Sequence, residues 1–71
     1  MEHYDAFARN LCRIMDEKGL RPVDLARGAE VDQTQVSLWR KAANIPVLYN
    51  LIKIARYLDV TLEELTEGMV E

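Results

Sequence analysis

Apolar residues recur along this chain at helical spacing, and no segment alternates with period two. Tyr4, Phe7, Ala8, Leu11, Ile14 and Met15 form one stripe, which predicts a first helix from Tyr4 to Lys18. Gly19 stands where a left-handed C-terminal cap is wanted, and Leu20 is placed to fold back on the last turn. A short second helix is expected over Pro22–Ala29. Proline suits a first helical position, because its missing N–H would have no partner there, and Asp24 favours the positive end of the helix dipole. Leu25, Ala26 and Ala29 give that helix its inner side.

The third helix starts at Asp32. Asp32 is a capping residue, Gln35 follows at capping-box spacing, and Val31 and Val36 are set as a hydrophobic staple. Val36 and Trp39 then face inward, leaving Gln33, Thr34, Ser37, Arg40 and Lys41 for the outside. Ala42–Ile45 reads as a loop. A fourth helix is expected from near Pro46 to Leu58, with Val47, Leu48, Leu51, Ile52, Ile54, Ala55 and Leu58 making much of it core. A fifth, Leu62–Glu67, has Thr61 as cap, Glu64 three residues on, and Val60 and Leu65 as staple. The fold class expected is all-α, five helices in one domain over residues 1–71, with 1–3 and 68–71 frayed.

Seventy-one residues, 49% of them hydrophobic, suit one small globular core. No apolar run approaches the about 18 residues of a membrane span, and the acidic start Met1-Glu2-His3-Tyr4-Asp5 lacks a signal layout, so a cytoplasmic location is expected. Cys12, the single cysteine, has no internal partner and reads as a small, partly buried residue. His3 is a lone histidine near a terminus, which leaves no spaced set of zinc ligands and no catalytic pair. Asp59, Glu63, Glu64, Glu67 and Glu71 read as a solvated face. No enzyme activity, metal, cofactor or small-molecule effector domain is expected.

The net charge of −3 argues against a polyanionic partner until it is divided along the chain. Residues 1–20 carry −1, residues 21–56 carry +3, and residues 57–71 carry −5. No acid stands between Gln33 and Tyr57. A chain that is acidic overall can still turn a basic face to phosphates.

That basic stretch contains a recognisable unit, the twenty residues Pro22–Lys41. Small Ala26 is fifth, where two crossing helices come closest, and Glu30 is ninth, at the turn. Val31, Val36 and Trp39 are tenth, fifteenth and eighteenth and set the angle between the helices. This is helix-turn-helix spacing, in which the second helix enters the major groove and its N-terminal residues meet base edges.

With the further segments Lys18-Gly19-Leu20, Leu25-Ala26, Val31 to Trp39, and Leu51 to Leu65, the chain resembles the phage-repressor-like (Cro/C1-type, XRE) helix-turn-helix family. The resemblance spans roughly Phe7 to Leu65. It implies a lambda-repressor-like five-helix DNA-binding domain, with the helix-turn-helix formed by helices 2 and 3. It also implies a cytoplasmic transcriptional regulator, usually a repressor, that binds double-stranded DNA as a homodimer on a pseudo-palindromic operator. The family's base-reading positions fall on Gln33, Thr34, Ser37 and Leu38. Gln suits adenine, and Thr and Leu suit a thymine methyl. Its phosphate-contacting positions fall on Lys41, Asn44 and Asn50, with helix amides near Pro46–Tyr49 adding to them.

The chain departs from the family at three places. Pro22 replaces the usual Gln, whose phosphate contact is lost or taken over by Arg21. Glu30 stands at the usual turn glycine. Met15 and Arg40 replace a common Arg–Glu pair, which frees Arg40 for solvent or phosphate. Pro22, Glu30 and the acidic tail keep an alternative open, a protein-interaction module of the same fold, antitoxin-like or an anti-repressor partner. Leu62, Leu65, Met69 and Val70 are the expected apolar surface for dimerisation.

Overall fold

A computed structural model of the chain describes residues 4–70, so His3 lies outside the described residues. It has five helices: α1 (Tyr4–Lys18), α2 (Pro22–Ala29), α3 (Gln33–Arg40), α4 (Leu48–Leu58) and α5 (Leu62–Thr66). No strand is present among the described residues. α1 and α2 pack on α3, α2 also packs on α4, and α5 closes against α1 and α4.

The apolar stripes meet in one cluster. Phe7, Leu11, Ile14 and Met15 of α1 join Leu25, Ala26 and Ala29 of α2, Val36 and Trp39 of α3, Ile54, Ala55 and Leu58 of α4, and Leu65 of α5. Leu20, Val31, Ile45, Leu51, Val60 and Met69 seal its edges. No polar or charged side chain among the described residues is fully buried. Gly28 is needed for the approach of α4 to α2, because a Cβ there would fall on the ring of Tyr57.

Polar ties fix the helix ends. Asp32 Oδ1 accepts the amides of Thr34 (2.7 Å) and Gln35 (3.4 Å), which caps α3. The expected reciprocal half, from Gln35, is not made. Gln35 Oε1 instead accepts from Asn44 Nδ2 at 3.5 Å, tying α3 to the loop that follows. At α5 both halves form, Glu64 N–H to Thr61 Oγ1 (3.1 Å) and Thr61 N–H to Glu64 Oε1 (2.9 Å). Asn10 Nδ2 of α1 donates to the carbonyls of Leu65 and Glu67, both at 2.9 Å, and so satisfies the end of α5.

Five described residues have positive φ, Gly19, Glu30, Ala42, Asp59 and Gly68, and the first four end α1 to α4. Each of these four is followed by an amide that reaches back to the last turn: Leu20 to Met15 O, Val31 to Ala26 O, Ala43 to Leu38 O and Val60 to Ala55 O, at 2.9 to 3.1 Å.

Three expectations are corrected. α4 begins at Leu48, not near Pro46, because Val47 is still extended (φ −66°, ψ 162°) and acts as the cap. Less of α4 is core than its apolar pattern implies. Only Ile54, Ala55 and Leu58 are buried, while Val47, Leu48 and Ile52 face outward. α5 ends at Thr66, one residue early, since Glu67 is extended. Beyond α5, Met69 is partly buried on the core and its amide donates to Thr66 O at 3.0 Å.

The left-handed Ala42 (φ 62°) yields a stability prediction. The strain is about 1–2 kcal/mol, and glycine returns about 0.5–1 kcal/mol of it as backbone entropy lost on folding. Ala42→Gly is expected to stabilise the fold by roughly 0.5–1 kcal/mol, seen as a higher midpoint in urea. An unchanged or lower midpoint contradicts the reading.

Candidate nucleic-acid interface

The order of side chains on α3 decides what it offers to a partner. Val36 (0% exposed) and Trp39 (1%) hold its inner face in the core. Helical spacing then sends Gln33, Ser37 and Lys41 outward in one row, with Thr34 beside them. Gln33, Thr34 and Lys41 are exposed, and Ser37 is half-buried. Leu38 is half-buried without being one of the side chains packed on the core. An eight-residue helix rises about 12 Å, which matches the width of a major groove, about 12 Å. Its rigidity comes from below, through the Asp32 cap and the two buried side chains.

The flanking positions divide. Lys41 is exposed and stands free at the end of α3. Asn44 and Asn50 are half-buried, and Asn44 Oδ1 is enclosed without a partner while its Nδ2 is bound to Gln35. Arg40, expected to be free for solvent or phosphate, is half-buried. Its Nε is enclosed without a partner, and the side chain borders a shallow cleft with Cys12, Ser37 and Lys41. Cys12 is partly buried there, with Sγ 3.9 Å from Arg40 O. The first turn of α4 has no acidic residue and no side-chain cap, so its amides stay open to an anion.

Arg21 is engaged rather than free. Asp24 accepts the Arg21 backbone N–H at 2.8 Å and takes its guanidinium on both oxygens, from Nε at 3.1 Å and Nη2 at 3.2 Å. Hydrogen bonds from Arg21 hold the Asp24 carboxyl below the usual carboxylate range, and the same bonds raise the guanidinium further. A carboxylate whose folded pKa is depressed contributes stability above its unfolded value and loses it as pH falls through the folded one. The pair therefore adds its stability at neutral pH and loses it in acid.

Sequence reasoning missed two features at this face. The Arg21–Asp24 pair was visible as an i, i+3 spacing of opposite charges at a helix start. The outward group Val47, Leu48 and Tyr49 had no such signal, since apolar residues beside a proline read equally well as core. Lys53 Nζ sits 5.0 Å from the centroid of the Tyr49 ring, so that ring carries a cation over it.

Residues 10–68 match the family model of the Cro/C1-type HTH DNA-binding domain. The chain belongs to this family. α2 and α3 are accordingly its helix-turn-helix, and the five-helix architecture is lambda-repressor-like. A transcriptional regulator from Listeria innocua has a similar crystal structure, with TM-score 0.74 and 30% sequence identity. The similarity covers 83% of this chain and 55% of that one, so the chain spans little more than half the length of that regulator. No curated protein matches the chain. Among the described residues no group of three or more His, Cys, Asp or Glu side chains gathers to hold a metal ion. No helix there is long and apolar enough to cross a membrane.

The Asp32 cap supports the whole outward row, which makes it testable apart from DNA. Asp32→Ala is expected to cost about 1 kcal/mol of stability, and Asp32→Ser to restore most of it. Equal loss in both variants, measured by thermal unfolding, contradicts the assignment.

Proposed function

We propose that this chain is a sequence-specific transcriptional regulator of the cytoplasm, a small repressor that binds a pseudo-palindromic operator as a homodimer. The observation that carries the reading is the polar outer row of α3, on a helix held by buried Val36 and Trp39, in a stretch without acids from Gln33 to Tyr57. In this reading Gln33, Thr34, Ser37 and Leu38 meet base edges. Lys41, Asn44, Asn50 and the open first turn of α4 meet phosphates, with Arg40 reaching them through its outer nitrogens.

One eight-residue helix reads few base pairs, which favours two copies per site. Of the apolar surface expected to pair two copies, Leu62 and Val70 are exposed, while Leu65 is fully buried and Met69 packs on the core. The groove between α4 and α5 fits better. Ile52 and Leu62 are exposed along it, with Arg56 and Asp59 of opposite sign on its rim. A two-fold interface must complement itself, and an apolar centre between a base and an acid does so.

The exposed Val47, Leu48 and Tyr49 favour a second reading, a protein-interaction module, antitoxin-like or an anti-repressor partner. Mobility shift with random duplex fragments at low salt separates the two. Binding that weakens steeply with added salt supports the regulator, and no shift from folded protein supports the interaction module.

Base and phosphate roles separate by mutation. Gln33→Ala is expected to relax base preference, whereas Lys41→Ala weakens all sequences alike and lowers the salt slope by about 0.9. Identical behaviour of the two contradicts the division. Sedimentation at high micromolar protein is expected to show a dimer that Ile52→Glu converts to a folded monomer. A monomeric parent, with and without DNA, contradicts the pairing.

A further inference from the structure

The start of α2 holds an arginine whose recognition edge is already occupied. Arg21 Nε and Nη2 form the fork that recognises a carboxylate or a phosphate in the same two-point manner, and Asp24 fills it. The two partners are not equally placed. The Asp24 side chain is 25% exposed and is anchored a second time by the Arg21 backbone N–H, while the Arg21 side chain is 74% exposed. The carboxylate is thus seated on the helix and the guanidinium lies over it from the solvent side. In a helix-turn-helix the first helix crosses the DNA backbone. At that crossing the pair presents no net charge.

We propose that Asp24 holds Arg21 out of phosphate contact, and so sets how tightly the protein binds any duplex and how steeply salt weakens that binding. The inference rests on the DNA-binding reading above. Asp24 is a positioning residue, acting through Arg21 and touching no base. It lowers affinity for all sequences equally, which widens the relative weight of the base contacts made from α3. If Arg21 swings to a phosphate, the bare carboxylate stays behind at the backbone, so the pair opposes binding in either position.

The test uses the full chain and a fluorescent random-sequence duplex titrated at several salt concentrations. The variants are Asp24→Asn, Arg21→Ala and the double substitution. Asparagine keeps an oxygen for the Arg21 N–H, and unfolding midpoints report whether the helix start survives. Asp24→Asn is expected to bind more tightly and to steepen the salt slope by about 0.9, a further loss of about threefold between about 50 and 200 mM salt. Arg21→Ala leaves the slope unchanged in the parent chain and removes the gain in the Asp24→Asn background. A merely structural role for Asp24 moves the midpoint and leaves the slope alone.

Parent-like affinity and slope in folded Asp24→Asn overturn the proposal. So does a slope lowered by about 0.9 in Arg21→Ala alone, since Arg21 would then already be on a phosphate. That second arm decides the matter even where Asp24→Asn fails to fold. Binding by the parent with Asp24→Asn unchanged sinks this inference only. No binding by the parent or by folded Asp24→Asn at low salt sinks the DNA-binding reading with it.

Discussion

Trp39 is the largest fully buried side chain of the fold, and with Val36 it forms the inner face of α3. Both belong to the cluster that contains Leu25, Ala26 and Ala29 of α2 and the stripe of α1. A short helix of eight residues is not stable alone in water. Its existence, and the direction in which its outer row points, therefore follow from these two buried contacts. Truncating a buried tryptophan costs about 3–5 kcal/mol, against a total stability of roughly 4–11 kcal/mol for a chain of this size. Few other positions carry so large a share, and Trp39 also sets the aim of the outer row of α3.

The polar ties complete what burial begins. Burial decides which face turns inward, but leaves open where each helix starts and stops. Asp32 starts α3, Thr61 and Glu64 start α5, and Asn10 of α1 closes the far end of α5 over 55 residues of sequence. The left-handed Glu30, Ala42 and Asp59 turn the chain sharply without glycine. Each such turn carries strain of about 1–2 kcal/mol, offset after Glu30 and Asp59 by delivery of the following residue to the core, whereas Ala43 after Ala42 is exposed. Val31 and Val60 both pack there.

Much of this was legible from the residues. The stripe of α1 and its Gly19 stop, the cap at Asp32 and the box at Thr61 are local signals, and each element they mark is found. The start of α4 was not legible, because Val47 caps without a side-chain hydrogen bond and Pro46 offers a start signal two residues early. The burial of α4 was misjudged for a different reason. Six aliphatic positions on eleven residues need neighbours on most sides, and α4 packs mainly on α2 and α5. On the outer face of α3 the identities of the outward side chains could be read from helical spacing. Their partners could not, since Asp24 on Arg21 and Gln35 on Asn44 depend on rotamers and loop position.

Frame and face thus rest on different physics. The frame is a packed core whose geometry is fixed by Val36 and Trp39. The face is a set of exposed groups whose meaning depends on what approaches them. The central claim joins the two: the outer row of α3 is the surface that meets DNA. The most direct measurement is an amide chemical-shift titration of the labelled protein with a short duplex. The account predicts the largest changes at Gln33, Thr34, Ser37 and Lys41 and in the first turn of α4, with α1 little affected. Changes confined to α5, or to the groove between α4 and α5, would contradict it.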